Sequence, residues 1–305
     1  SRHALAKTQP RQAHYQPILR GNQFKLTVNR QDINFTGKTR QAVTVNGSTP
    51  APTLYMKEGE MVTIDVYNQL HEDSSIHWHG LLVPPNMDGV PHLSFAGIKP
   101  QQSFRYQFPL KQSGTYWYHS HSGWQEQLGM YGALIIEPAE GDPIKADREH
   151  VLILSDWTDQ NPADLLRYLK SESHFDNYRQ PTFEELWHDI RELGLKRAFA
   201  KRQMWNQMRM SPTDFTDLSG VSTFTYLLNG STSAANWTAL FNRGETVRLR
   251  IINASAQSIF DFRIPELDMT VVGTDGGLVE PVTVDEIRIG VAETYDVLVK
   301  PQADA

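Results

Sequence analysis

The sequence predicts an all-β protein, two β-sandwiches in tandem with a helical insertion in the second, and three observations carry that prediction. The first is composition: eleven Tyr, thirteen Phe and seven Trp stand beside twenty Gly and seventeen Pro in 305 residues. Aromatic residues pack well on pleated sheets, and Gly and Pro supply tight turns, so this mixture suits strands better than a helical bundle. The second is periodicity. From Phe24 onward apolar residues alternate, with Val62, Ile64 and Val66 on one face of a strand and Phe104, Tyr106 and Phe108 on one face of another. The third is an internal repeat, which makes the second half a copy of the first.

Taken in order, residues 1–21 carry Arg2, Lys7, Arg11 and Arg20 without apolar periodicity and read as a surface or disordered tail, in which His3 and His14 are incidental. Residues 22–138 form the first unit. Its strands are separated by the turn signals Asn46-Gly47, Glu58-Gly59-Glu60, Asp88-Gly89 and Ser113-Gly114, and it closes with the apolar run Leu134-Ile135-Ile136 before Glu137-Pro138. The polar stretch 139–148 is a linker, and residues 149–305 are the second unit, beginning at Val151-Leu152-Ile153-Leu154. From about 161 to 211 the period becomes helical. Thr182 and Glu185 form a capping box, and Phe183, Leu186, Trp187, Ile190 and Leu193 make one apolar face. Met204, Met208 and Met210 fall in the same segment; they read as packing, with a soft contact for copper(I) as the alternative.

The chemistry gathers between Ser75 and Gly132. His77-Trp78-His79-Gly80 and Trp117-Tyr118-His119-Ser120-His121 place four of the eleven histidines in two three-residue windows. Successive side chains of a strand point to opposite faces, so His77 and His79 share a face, as do His119 and His121, each pair about 7 Å apart along its strand. That spacing is too long for one ion to take both rings of a pair comfortably. It suits two or three close metal ions that draw rings from different strands, and copper is the reading.

The repeat supplies a control. Asn46-Gly47-Ser48-Thr49-Pro50-Ala51 recurs as Asn229-Gly230-Ser231-Thr232-Ser233-Ala234, and Gly59 to Asn68 recurs as Gly244 to Asn253. Ser75-Ile76-His77-Trp78-His79 then aligns with Ser258-Ile259-Phe260-Asp261-Phe262, so the architecture builds this strand without histidine. Gln102 to Phe108 aligns with Glu293 to Val299, after which the second copy has no counterpart of about thirty residues of the first. A sheet without its last strands exposes an unpaired edge, so the expectation is a fragment, or a chain completed by another.

Composition excludes some functions. The net charge is −6 with no long basic run, which gives no footprint for nucleic acid. No apolar window approaches the roughly 18 residues of a membrane span. Cysteine is absent, so neither disulfides nor thiolate ligands are available.

At the two histidine pairs, and over most of the chain from Phe24, the sequence resembles the multicopper oxidases, and among them the copper-resistance oxidases of the CopA type from the bacterial periplasm. The resemblance rests on Ile76-His77-Trp78-His79-Gly80, Met87-Asp88-Gly89-Val90-Pro91, Gly114 to His121, the helical insertion, and Val282 to Glu286 leading to Ala292 to Val297. It implies cupredoxin-like Greek-key sandwiches, three to a protein. It implies that His77 is a ligand of the type 2 copper, that His79, His119 and His121 are ligands of the type 3 pair, and that Asp88 assists proton delivery during reduction of dioxygen. An Asp-Gly pair is also a common turn, which is the bland reading of Asp88. Trp78, Trp117 and Trp124 would wall the site. The resemblance further implies oxidation of cuprous ion or phenols coupled to reduction of dioxygen to water.

The departure is as informative. The family's third cupredoxin domain carries the other trinuclear ligands and a type 1 site built on His-Cys-His, and nothing here matches them. These 305 residues alone are therefore expected not to run the oxidase cycle, their partners being copper ions, dioxygen and the missing C-terminal cupredoxin domain or another chain. The alternative is a non-catalytic copper-binding or copper-buffering module.

Overall fold

The computed structural model describes residues 16–171, 183–207 and 224–302. Thr182 of the predicted capping box, Met208, Met210, His3 and His14 lie outside the described residues, as does the side chain of Met204. The first half holds β1 (Ile18–Arg20), β2 (Gln23–Ile33), β3 (Arg40–Val45), β4 (Ala51–Lys57), β5 (Met61–Asn68), β6 (His77–His79), β7 (Ser103–Pro109), β8 (Gly114–His119) and β9 (Tyr131–Glu137). The second holds β10 (Arg148–Thr158), α1 (Pro162–Ser171), α2 (Phe183–Leu193), α3 (Leu195–Gln207), β11 (Phe224–Leu228), β12 (Val247–Asn253), β13 (Phe260–Phe262), β14 (Met269–Thr274), β15 (Gly277–Val284), β16 (Ile287–Ile289) and β17 (Thr294–Val299).

In the first half a four-stranded sheet, β3-β2-β5-β7, faces a five-stranded one, β1-β4-β9-β8-β6. The alternation read from sequence sets the core between them. Val62, Ile64 and Val66 from β5 and Tyr106 and Phe108 from β7 meet Trp78, Tyr116, Tyr118, Leu134 and Ile136 from the other sheet. Part of the segment expected as a tail is corrected here, because Ile18–Arg20 pairs in parallel with Thr53, Leu54 and Tyr55.

The second half repeats the plan. β10 runs parallel to β12 as β2 does to β5, and β12 pairs antiparallel with β17 as β5 does with β7. Two asparagines mark the correspondence. Asn46 and Asn229 share a φ of 50°, and each side chain clips the neighbouring strand, accepting from Thr27 N or Ile153 N at 2.7 Å and donating to Lys25 O or Val151 O. The order of the larger sheet is β11-β10-β12-β17-β14-β15, and the facing layer is the two-stranded pair β13-β16 among the described residues.

The outer face of the five-stranded sheet is also buried, which positions the site. Trp117, Tyr131 and Ala133 pack on Ile153, Ile252 and Ala254 of the second copy. Thr115, on the same face of β8, donates to Asp296 Oδ1 at 2.8 Å, and its carbonyl accepts from the Thr294 hydroxyl at 3.0 Å. Arg248 and Arg250, on the side of β12 away from its own core, are almost wholly buried and reach Asp296, Asp142 and Glu149.

The helical insertion, a unit of its own, contains the expected helices. α2 and α3 pair, with Lys201 Nζ 2.8 Å from Asp189 Oδ1. Of the apolar face expected on α2, Leu186 and Ile190 are half-buried, while Phe183 and Trp187 are 83% and 54% exposed among the described residues. Among the described residues no helix is long and apolar enough to cross a membrane.

Candidate metal centre

β6 and β8 pair antiparallel in the register His77 to His119, Trp78 to Tyr118 and His79 to Trp117. Strand alternation then sorts the side chains. Trp78 and Tyr118 enter the core, while His77, His79, Trp117 and His119 lie on the opposite face. Trp78 is fully buried against Tyr106, at 5.1 Å between ring centroids, and so anchors the strand that presents both of its flanking histidines.

The four rings form one cluster. His77 lies 5.6, 5.4 and 5.4 Å from His79, His119 and His121, and His119 lies 5.6 Å from both His79 and His121. One donor nitrogen from each of His77, His79 and His119 falls within 4.8 Å of the others. His121 extends the row on the exposed side. Trp117 closes the other end, stacked on His119 at 4.2 Å and 20° and on His79 at 5.0 Å and 29°.

Hydrogen bonding fixes which nitrogens are bare. His77 Nδ1 donates to Asp88 O at 2.8 Å, with Asp88 Oδ1 at 3.3 Å. His119 Nδ1 donates to Ser120 O at 3.0 Å, with Glu126 Oε2 at 3.1 Å. A carbonyl can only accept, so both rings carry a proton on Nδ1, and Nε2 is the nitrogen left for a metal. His119 Nε2 in turn faces His79 Nδ1 at 3.4 Å. Burial, and then the nearby His119 and His77, push the pKa of His79 down to about 4, and the same causes lower that of His121. His79 and His121 are thus held toward the neutral form, the one that binds metal.

This donor set fits copper. Imidazole is a ligand copper shares with several transition metals, the acceptors behind Nδ1 of His77 and His119 follow the pattern that orients metal-bound histidine, and the chain has no cysteine to build a zinc–thiolate site. Among the described residues this is the one group of three or more histidine or carboxylate side chains arranged to hold an ion.

Asp88 reaches His77 through a backbone that requires glycine next to it. Gly89 has a φ of 76°, and a Cβ there would lie 1.8 Å from Ile76 O, so the Asp88-Gly89 turn is pressed against the start of β6. The turn reading of the Asp-Gly pair therefore holds, and it is the turn that places the carboxylate beside His77. Glu126 was not singled out from sequence. Its signal would have been its place five residues after His121, beyond a Gly-containing turn.

A multicopper oxidase family model matches residues 27–141, and a second multicopper oxidase model matches 148–305. Copper resistance protein A of Escherichia coli is 55% identical over 287 residues, and that of Pseudomonas syringae pv. tomato 52% over 288; each alignment covers 94% of this chain and 47% of the relative. The chain thus spans about half the length of these relatives. Among solved structures, the multicopper oxidase Fet3p, which functions in iron import, superposes with a TM-score of 0.69 at 29% identity over 93% of this chain and 46% of its own. The blue copper oxidase of Nitrosomonas europaea gives 0.66 at 25% identity, covering 94% and 77%.

Proposed function

The chain belongs to the multicopper oxidase family, and from that premise we propose that it supplies half of the trinuclear copper site of a periplasmic copper-resistance oxidase. One observation carries the reading: four imidazoles form one cluster, and in His77 and His119 Nδ1 is committed to acceptors, which leaves Nε2 as the nitrogen for a metal. His77 would hold the type 2 copper, and His79, His119 and His121 the type 3 pair. When bound, the copper ions supply the one-electron steps that join oxidation of cuprous ion or phenols to reduction of dioxygen to water.

The remaining work falls to the chain's own residues. Asp88, 32% exposed and 3.3 Å from His77 Nδ1, can hold and pass a proton beside that ring. Trp117, stacked on His79 and His119, excludes water from that side of the row. A type 1 site needs a thiolate, and the chain has no cysteine. The partner that completes the site is therefore another cupredoxin domain, of the same protein or of another chain, bringing the other ligands and the type 1 copper. Within this chain we assign one cupredoxin domain to 22–138, a linker to 139–148, and a second cupredoxin domain to 149–305.

Copper titration of the 305-residue chain tests the reading. Uptake should be measurable, and His77→Ala and His119→Ala should each abolish it while the far-ultraviolet circular dichroism stays that of the parent. Uptake unchanged in both variants would overturn the assignment. Oxygen consumption with cuprous ion as reductant should be absent from this chain alone; steady turnover without a thiolate site would sink the division of labour.

A further inference from the structure

We propose that Glu126 is the positioning residue of His119, its carboxylate facing the Nδ1–H so that Nε2 is both aimed and made a stronger donor. The proposal rests on His119 being a copper ligand, as set out above. Its geometry is independent of that reading. Glu126 Oε2 lies 3.1 Å from His119 Nδ1, on a ring whose side chain is only 6% exposed. Ser120 O accepts from the same nitrogen at 3.0 Å, so two acceptors flank one edge of the ring. Turning the imidazole over would replace Nδ1 by a carbon and forfeit both contacts, which holds the ring in a single orientation.

Glu126 is itself held in place. Its neighbour Gln125 is buried, accepts from the hydroxyls of Ser74 and Ser120 at 2.8 and 2.9 Å, and donates to Asp73 O at 2.8 Å. Around it, Leu128 N donates to Trp124 O at 2.9 Å and Gly129 N to Glu126 O at 3.0 Å, closing the turn. The carboxylate is therefore delivered to His119 by a rigid loop rather than by a free side chain.

The same device stands at His77, where one residue supplies both acceptors: Asp88 O at 2.8 Å and Asp88 Oδ1 at 3.3 Å. At His119 the two roles are divided between Ser120 and Glu126. The backbone carbonyl suffices to choose the tautomer, so the carboxylate's own contribution is its charge. A carboxylate on the far nitrogen raises the basicity of an imidazole ligand, and removing such a partner commonly lowers metal affinity 10- to 100-fold. Glu126 thus does for His119 what Asp88 does for His77, and the cluster has a carboxylate behind each of its two central rings.

The test uses the full 305-residue chain, ¹⁵N-labelled, at one fixed neutral pH. Long-range ¹H–¹⁵N spectra of the metal-free wild type should show His119 protonated at Nδ1, with that proton far downfield. Glu126→Gln keeps an acceptor but loses the charge: the tautomer should persist, the Nδ1 proton should move upfield, and copper(II) affinity should fall about tenfold with the melting temperature unchanged. Glu126→Asp should recover part of the affinity. An Nδ1 proton unmoved by Glu126→Gln, or His119 protonated at Nε2 in the wild type, would overturn the proposal. So would a loss of thermal stability with copper affinity intact, the pattern of a merely structural residue. A wild type that binds no copper(II) would instead remove the copper reading, while the position of the Nδ1 proton would still decide whether Glu126 holds the ring.

Discussion

Gly89 shows how much of the centre depends on one missing methyl group. Its positive φ and its approach to Ile76 O leave no room for a side chain, and the turn it allows delivers Asp88 to His77. Gly89→Ala should cost at least about 1–3 kcal/mol of stability through backbone strain alone. It should also weaken copper binding more than a surface alanine would. Urea unfolding together with copper titration of the variant checks both, and a stability within error of the parent would refute the argument. The four histidines were legible from sequence because strand periodicity is a local property. Glu126 was not, because it reaches His119 only after the chain has turned back on itself.

A second expectation at this scale concerns pH. With the pKa of His79 lowered to about 4, the unfolded chain, near 6.5, binds a proton between those values that the folded chain does not. Unfolding free energy therefore rises with pH across that window: the contribution of His79 is fully present above about 6.5 and is lost as pH falls through about 4. Unfolding of the metal-free chain between pH 4.5 and 7 should show this slope, flatter in His79→Gln. An equal slope in both would place its origin elsewhere.

Between elements, the telling contact is β8 with the second copy. Thr115 lies four residues before His119 on the same face, and it bonds Asp296, Arg250 and the Thr294 hydroxyl. Thr115→Val preserves shape and removes the hydroxyl, which leaves Asp296 and Arg250 short of a partner in a buried place. A loss of about 1–3 kcal/mol follows, measurable as a lower urea midpoint with an unchanged slope. A midpoint equal to the parent's would show that Asp296 and Arg250 satisfy each other without it. Sequence disclosed the strands but not this junction, since alternation says which side chains share a face and not what covers that face. For the same reason β1, three residues long and paired only through distant β4, escaped notice, and α2 showed an apolar stripe without saying whether anything lies on it.

Across the whole molecule, the repeat gives an internal experiment. Phe260 and Phe262 align in sequence with His77 and His79, but they pack on the second core, and β13 pairs with β16, where Ile289 and Ile287 stand opposite, not with a counterpart of β8. Phe260→His with Phe262→His should therefore leave copper stoichiometry unchanged, while burying two polar rings in the second core and lowering stability. An additional equivalent of tightly bound copper in the double variant would show that histidines at these two positions suffice. The duplicated architecture was plain in the sequence because the turn asparagines and strand patterns recur. The burial of one copy's outer face against the other was not, because it depends on Trp117, Ile153 and Ile252 meeting across long separations in sequence.

The register of β6 on β8 has one more consequence. Side chains alternate along a strand, so slipping β6 by a single residue would turn both of its imidazoles inward and bring the indole of Trp78 out. β8 in turn is pinned at Thr115 by strand β17, some 180 positions later in the chain. An ion bound as proposed would therefore inspect assembly, retained only by molecules in which both copies have closed correctly. Copper occupancy would then be a readout of folding quality as well as of chemistry.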